Sequence, residues 1–210
     1  MPDVLKSEVT GLGRIFGYLP HRTVVPPTPP LDVPDGGLLP NQLVTAYNAK
    51  PLVDEGFTGK GVTVAVFGFD GFDQADLDMF SDLFGTPRFT PEVMGGMPAQ
   101  RGVESTMDLQ VIHAVAPDAK LVLVNARPTV EDDARGFDKV GELMRSVDAQ
   151  FPGAIWSLSI GWGCDRLFTA TDLAPVRSAL STALRHGTTA FDASLRGHAA
   201  HHLRGETRCA

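Results

Sequence analysis

Gly102-Val103-Glu104-Ser105-Thr106-Met107-Asp108-Leu109-Gln110-Val111-Ile112-His113-Ala114-Val115-Ala116-Pro117-Asp118-Ala119-Lys120-Leu121-Val122-Leu123-Val124-Asn125 is the stretch whose reading decides the fold. Its first part reads as a helix, Pro117-Asp118-Ala119 as a turn, and Lys120 to Asn125 as a short apolar run typical of a buried strand. Helix, turn and strand in this order fit one βαβ unit. Glu104 and Asp108 stand four positions apart, so a helix stacks them on one face with roughly 5 to 6 Å between Cβ atoms. Two carboxylates at that spacing can share a proton or pass one onward, and they are the candidate catalytic residues.

The same alternation continues on both sides. Upstream, Gln42 to Ala49 reads as a short helix, Gly59-Lys60-Gly61 as a turn and Val62 to Phe67 as a strand. Gln74 to Phe84 spaces Leu77, Phe80, Leu83 and Phe84 as an amphipathic helix stopped by Gly85, and a loop runs from Thr86 to Gln100. Downstream, Asp138 to Val147 is helical, Ala154 to Ile160 is a strand, and Asp172 caps a helix to His186 with Leu173, Val176, Leu180 and Leu184 as its buried stripe. Thr188 to Ala193 is a fourth strand. Strands separated by helices predict an α/β fold with a mainly parallel sheet covered on both faces. Functional groups then gather at strand C-terminal ends. These ends are Gly68-Phe69-Asp70-Gly71, Asn125-Ala126, Ser159-Ile160-Gly161-Trp162-Gly163 and Ala193-Ser194.

Residues 1–38 are broken by prolines and read as an extended arm or linker. A formal net charge of −7 argues against a nucleic-acid binder or an anionic-membrane binder, whose contacts need clustered Lys and Arg. Two cysteines, Cys164 and Cys209, make no disulfide framework. Neither a signal peptide nor a membrane span is read in residues 1–20.

Six segments resemble, in order and spacing, the sedolisin or serine-carboxyl peptidase family. They are Leu39 to Asn48, Gly59 to Phe67, the Glu-x-x-x-Asp of Glu104 to Asp108, Gln110 to Ala119, Ser157 to Gly161, and Gly187 to Ser194. The resemblance implies a subtilisin-like three-layer α/β/α fold. Residues 39–194 would be the N-terminal part of the peptidase catalytic domain only. It implies a serine-type endopeptidase acting on peptide or protein substrates at acidic pH. In that chemistry a serine attacks the peptide carbonyl, Glu104 takes its proton as general base, and Asp108 orients and tunes Glu104. Ser159, Gly161 and Trp162 are the candidate substrate-binding residues at a strand end. The family is mostly exported, and this chain shows no export signal, so no compartment follows.

The resemblance stops inside a motif. The family places an oxyanion-stabilising Asp in a Ser-Gly-Asp segment where Ser194 is here followed by Leu195, and its nucleophile in a Gly-Thr-Ser segment that this sequence lacks. No cofactor is expected, and the calcium site of the family has no counterpart. Residues 195–210, rich in Arg and His, are read as an aberrant tail of the kind an out-of-frame reading gives. The expectation is therefore a truncated, inactive family chain; the alternative is a noncatalytic fragment that binds peptides or a partner, or a frameshift product without function. Other residues carry blander readings. Asp70 either lines the same cleft or forms a turn beside Gly71. His113 is read as packed or hydrogen-bonded rather than as a base, Trp156 and Trp162 as pocket walls or packing aromatics, and His198, His201 and His202 as tail residues rather than metal ligands.

Overall fold

The computed structural model describes residues 39–131, 135–161 and 168–192. The arm of residues 1–38, the tail of residues 195–210, both cysteines and Trp162 lie outside the described residues. The chain divides into two compact units, one ending at Asn125 and the other continuing from Ala126.

The first unit holds α1 (Pro40–Ala46), α2 (Lys50–Asp54), β1 (Thr63–Gly68), α3 (Gln74–Phe84), β2 (Glu92–Met94), α4 (Glu104–Val115) and β3 (Lys120–Asn125). β1 pairs with β3 in parallel from Thr63↔Lys120 to Gly68↔Asn125, and β2 joins the other side of β3 at Glu92↔Val122. Val64 to Phe67 and Leu121 to Val124 are all buried. Both strands therefore read as unbroken apolar runs rather than as alternations, as strands covered on both faces do. α4 packs on β1 and β3 and also against α1 and α3. It buries Ser105, Leu109 and His113, a row spaced by four residues.

The second unit holds α5 (Pro128–Glu131), α6 (Asp138–Gln150), β4 (Ile155–Leu158), α7 (Ala174–Arg185) and β5 (Thr189–Asp192), with β4 and β5 parallel. Its core gathers Val140, Met144 and Val147 of α6, Trp156 and Leu158 of β4, and Ala179 and Ala183 of α7. Asp148, buried on α6, accepts a hydrogen bond at 2.7 Å from Nδ1 of His186 at the end of α7. The fold class is α/β with parallel strands, as the sequence predicts.

Several boundaries and faces differ from the expectation. The helix read over Gln42 to Ala49 runs instead from Pro40 to Ala46 and stops before Asn48, which takes a positive φ of 52°; a second helix, with Pro51 in its first turn, begins only at Lys50. The loop after α3 contains β2, whose three residues are too few for a sequence period to register. α5, four residues long, is also new. The predicted stripe of α7 is rotated: Ala179 and Ala183 are buried while Leu184 is exposed. The reason is close approach of α6, where a Cβ on Gly141 would lie 2.8 Å from the Pro175 carbonyl oxygen, so small residues face the joint. Asp172 does not cap α7. It accepts from the Thr169 amide at 2.7 Å and hydroxyl at 2.8 Å, one turn earlier, and α7 begins at Ala174. α3 likewise buries Leu77 and Ser81 and exposes Leu83.

Candidate active site

The site is built where β1 ends and α4 begins. The residue at the N-cap of α4 is Val103, whose side chain offers no acceptor to the orphan amides of the first turn. The acceptor comes instead from 35 positions away: Asp70 Oδ1 receives the Ser105 amide at 3.2 Å. The buried Ser105 hydroxyl donates to the same carboxylate oxygen at 2.5 Å, with the Asp70 carbonyl oxygen alongside at 3.0 Å. The segment after β1 is held to the segment before α4 by two backbone bonds, Gly71 N–H to Gln100 O at 2.8 Å and Gly102 N–H to Gly71 O at 3.2 Å.

Two glycines make room for this clasp. A Cβ on Gly102 would sit 1.7 Å from Asp70 Oδ2, and one on Gly68 would sit 2.2 Å from Ser105 Oγ. Neither approach leaves space for a side chain. The need at both positions is steric clearance.

Glu104 is the first residue of α4 and is exposed, with half-buried Asp108 one turn on. The Glu104 carboxyl is raised above its ordinary value, first by partial desolvation, then by the negative charges of Asp108 and Asp70. A carboxylate crowded in this way holds its proton to a higher pH than a solitary one. Asp70, the residue read either as a cleft wall or as a turn former, therefore stands with Glu104 and Asp108 in one electrostatic group while fastening the helix start.

At the other end of α4, His113 is 1% exposed, stacks on Phe89 at a centroid distance of 3.9 Å and donates from Nε2 to the Pro87 carbonyl at 2.7 Å. Burial lowers its pKa, which outweighs the opposing effects of the Pro87 bond and Asp118. His113 is a packed, hydrogen-bonded histidine, as read from the sequence. Both serines of residues 39–125 are engaged: Ser105 with Asp70, and Ser81 through a hydroxyl bond to the Pro87 carbonyl at 3.2 Å.

Ser159 and Gly161 follow β4 in the second unit, Ser159 half-buried and Gly161 exposed; Trp162 is outside the described residues. Trp156 is fully buried within β4, so it packs the core of its unit. Among the described residues no group of three or more His, Cys, Asp or Glu side chains is placed to hold a metal ion. The Asp70–Ser105 clasp was not anticipated. Its signals in the sequence were a valine where a cap belongs and glycines at positions 68 and 102.

No protein-family model matches the chain, and no curated protein matches it. Among solved structures, it is similar to a Pseudomonas sedolisin, a serine-carboxyl proteinase complexed with two molecules of pseudo-iodotyrostatin. The identity is 18% and the TM-score 0.48, over 63% of this chain and 38% of that one. The chain thus spans less than half the length of that structure.

Proposed function

We propose that this chain carries the carboxyl half of a serine-carboxyl endopeptidase site, with Glu104 as general base and Asp108 as the group that orients and tunes it. The observation that carries the reading is the raised Glu104 carboxyl at the first turn of α4, with Asp108 among the causes. The six sequence segments that resemble the family support it from a second direction. A carboxylate with an ordinary pKa near 4.3 is a weak base toward a serine hydroxyl. Raising that pKa strengthens the base, and only the ionised form can accept the proton. Activity in such a site therefore rises as pH climbs through the Glu104 pKa, and the coupled pair titrates as a unit on the acid side.

The substrates of such a site are peptide bonds of proteins. No serine of residues 39–125 is assigned as the nucleophile. Ser81 and Ser105 are committed to structural bonds, and the sequence has no Gly-Thr-Ser segment. We therefore expect the 210-residue chain alone to be inactive on a denatured protein at acid pH. Hydrolysis that disappears in Glu104→Ala would show that a serine of this chain completes the site. Hydrolysis that survives in Glu104→Ala would remove Glu104 from the reaction.

The pair itself is tested without turnover. Carboxyl-resolved NMR titration of Glu104 should show its midpoint fall in Asp108→Asn, because a like charge is removed. An unmoved midpoint would end the reading of these two acids as a pair. A second reading, a noncatalytic segment that binds peptides, is favoured by the engagement of Ser81 and Ser105, the serines of the unit that holds Glu104. Saturable binding of a denatured protein without hydrolysis would support it.

A further inference from the structure

We propose that Asp70 is a positioning residue of this site, which clamps the first turn of α4 through Ser105 and thereby sets where Glu104 stands. The proposal rests on the reading of Glu104 and Asp108 as the acid pair, and it adds a residue from a different element.

The argument starts from what the helix start lacks. An N-cap side chain satisfies an orphan amide of the first turn, and the residue at this N-cap is Val103. Asp70 supplies the missing acceptor to Ser105 N–H at 3.2 Å, and a carboxylate does so with a charge that the helix N-terminus favours. The Ser105 hydroxyl closes a second bond to the same oxygen at 2.5 Å. With two bonds the carboxylate is fixed in direction, and Ser105, 1% exposed, cannot turn away to solvent. Glu104 is the residue immediately before Ser105, so its backbone position is set by the clamp.

Clearance at Gly68 and Gly102 makes the arrangement specific. A side chain at either position would occupy the space of Ser105 Oγ or of the Asp70 carboxylate. A surface aspartate that merely ended a strand would need neither glycine.

The charges around this turn are few. On α4 itself the neighbour of Glu104 is Asp108. The segment after β1 brings Asp70, and Arg101, just before the helix, is turned to the Pro98 carbonyl at 3.2 Å and to Asp73 at 3.2 Å. α1 and β1, both packed on α4, carry no ionisable side chain; α3 carries Asp76, Asp78 and Asp82, and β3 carries Lys120, which pairs with Glu92. The near field of Glu104 is therefore negative, and Asp70 is the part of it that comes from outside the helix.

The test uses the full chain and two substitutions. Asp70→Asn keeps the shape and the acceptor oxygen but removes the charge, so the Glu104 midpoint should fall by a few tenths of a pH unit or more while Ser105 amide protection persists. Asp70→Ala removes the acceptor, and the Ser105 amide should exchange about five- to tenfold faster than in the parent. An unchanged Glu104 midpoint in a folded Asp70→Asn protein would overturn the proposal, and unchanged Ser105 protection in a folded Asp70→Ala protein would do the same. If the alanine variant does not fold, the asparagine titration decides alone. Asp108→Asn separates the two ideas. Movement with Asp108→Asn alone keeps the pair and removes Asp70; movement with Asp70→Asn alone keeps Asp70 and removes the pair.

Discussion

The two ends of α4 solve opposite problems. At its start, carboxylates from two elements crowd an exposed turn and raise the pKa of Glu104. At its last turn, a single histidine is sealed against Phe89 and Pro87, and burial lowers its pKa. Both shifts disfavour charge, yet they act on groups of opposite sign. The first end is eased by acid and the second is strained by it. One helix of twelve residues thus carries two pH responses that oppose each other.

The strongest way to break the comparison is to cut the link between the ends. Leu109 lies fully buried midway along the buried row of Ser105, Leu109 and His113. Leu109→Ala should cost about 2 to 5 kcal/mol in denaturant unfolding. Amide exchange should speed up at both Ser105 and His113. Acceleration at one end alone would mean that the two ends do not share a cooperative helix.

A middle-sized effect comes from His113. Its folded pKa lies below the unfolded value of about 6.5, so its neutral form contributes stability above that pH, and the contribution is lost as pH falls. His113→Phe keeps the stack on Phe89 and removes the proton acceptor. It should cost about 1 to 3 kcal/mol at pH 8, because the Pro87 carbonyl loses its donor in a buried place. The variant should then lose less stability than the parent between pH 8 and pH 5. Parallel losses in urea titrations would show that His113 is not held neutral.

The smallest effect belongs to Glu104. Its raised folded pKa means that the protonated state contributes stability below the unfolded pKa and that this is lost as pH rises through the folded one. Glu104→Gln should therefore stabilise the chain at pH 7, by no more than a few tenths of a kcal/mol at so exposed a position, and have no effect at pH 3. Destabilisation at pH 7 would mean that the ionised carboxylate makes a favourable contact there.

Legibility in the sequence followed length and burial. β3 and α3 were placed at their observed limits because one is a six-residue apolar run and the other ends at Gly85, whose φ of 67° suits a glycine stop. The α4 helix was read from the stretch before Pro117, and the stacking of Glu104 and Asp108 followed from it. What stayed hidden depends on tertiary contact. The buried face of α7 is chosen by α6 pressing close at Gly141, which no period in α7 encodes. β2 is defined by its pairing to β3 rather than by its own three residues. At the candidate site, Glu104 and Asp108 were read as a pair because local helical spacing puts them on one face, whereas the Asp70 clamp joins residues 35 apart and left only an ill-suited cap and two glycines as traces.

Those traces have a use in comparing sequences. Gly68, Asp70, Gly102 and Ser105 fill one small volume, so a change at any of them obliges changes at the others. In a set of relatives they should vary as a block: the four together, or a capping Ser, Thr, Asp or Asn at position 103 with side chains restored at 68 and 102. The quartet is thus a spaced signature, Gly-x-Asp followed by Gly-x-x-Ser, by which chains that fasten this helix from the segment after a neighbouring strand can be sorted from chains that cap it locally.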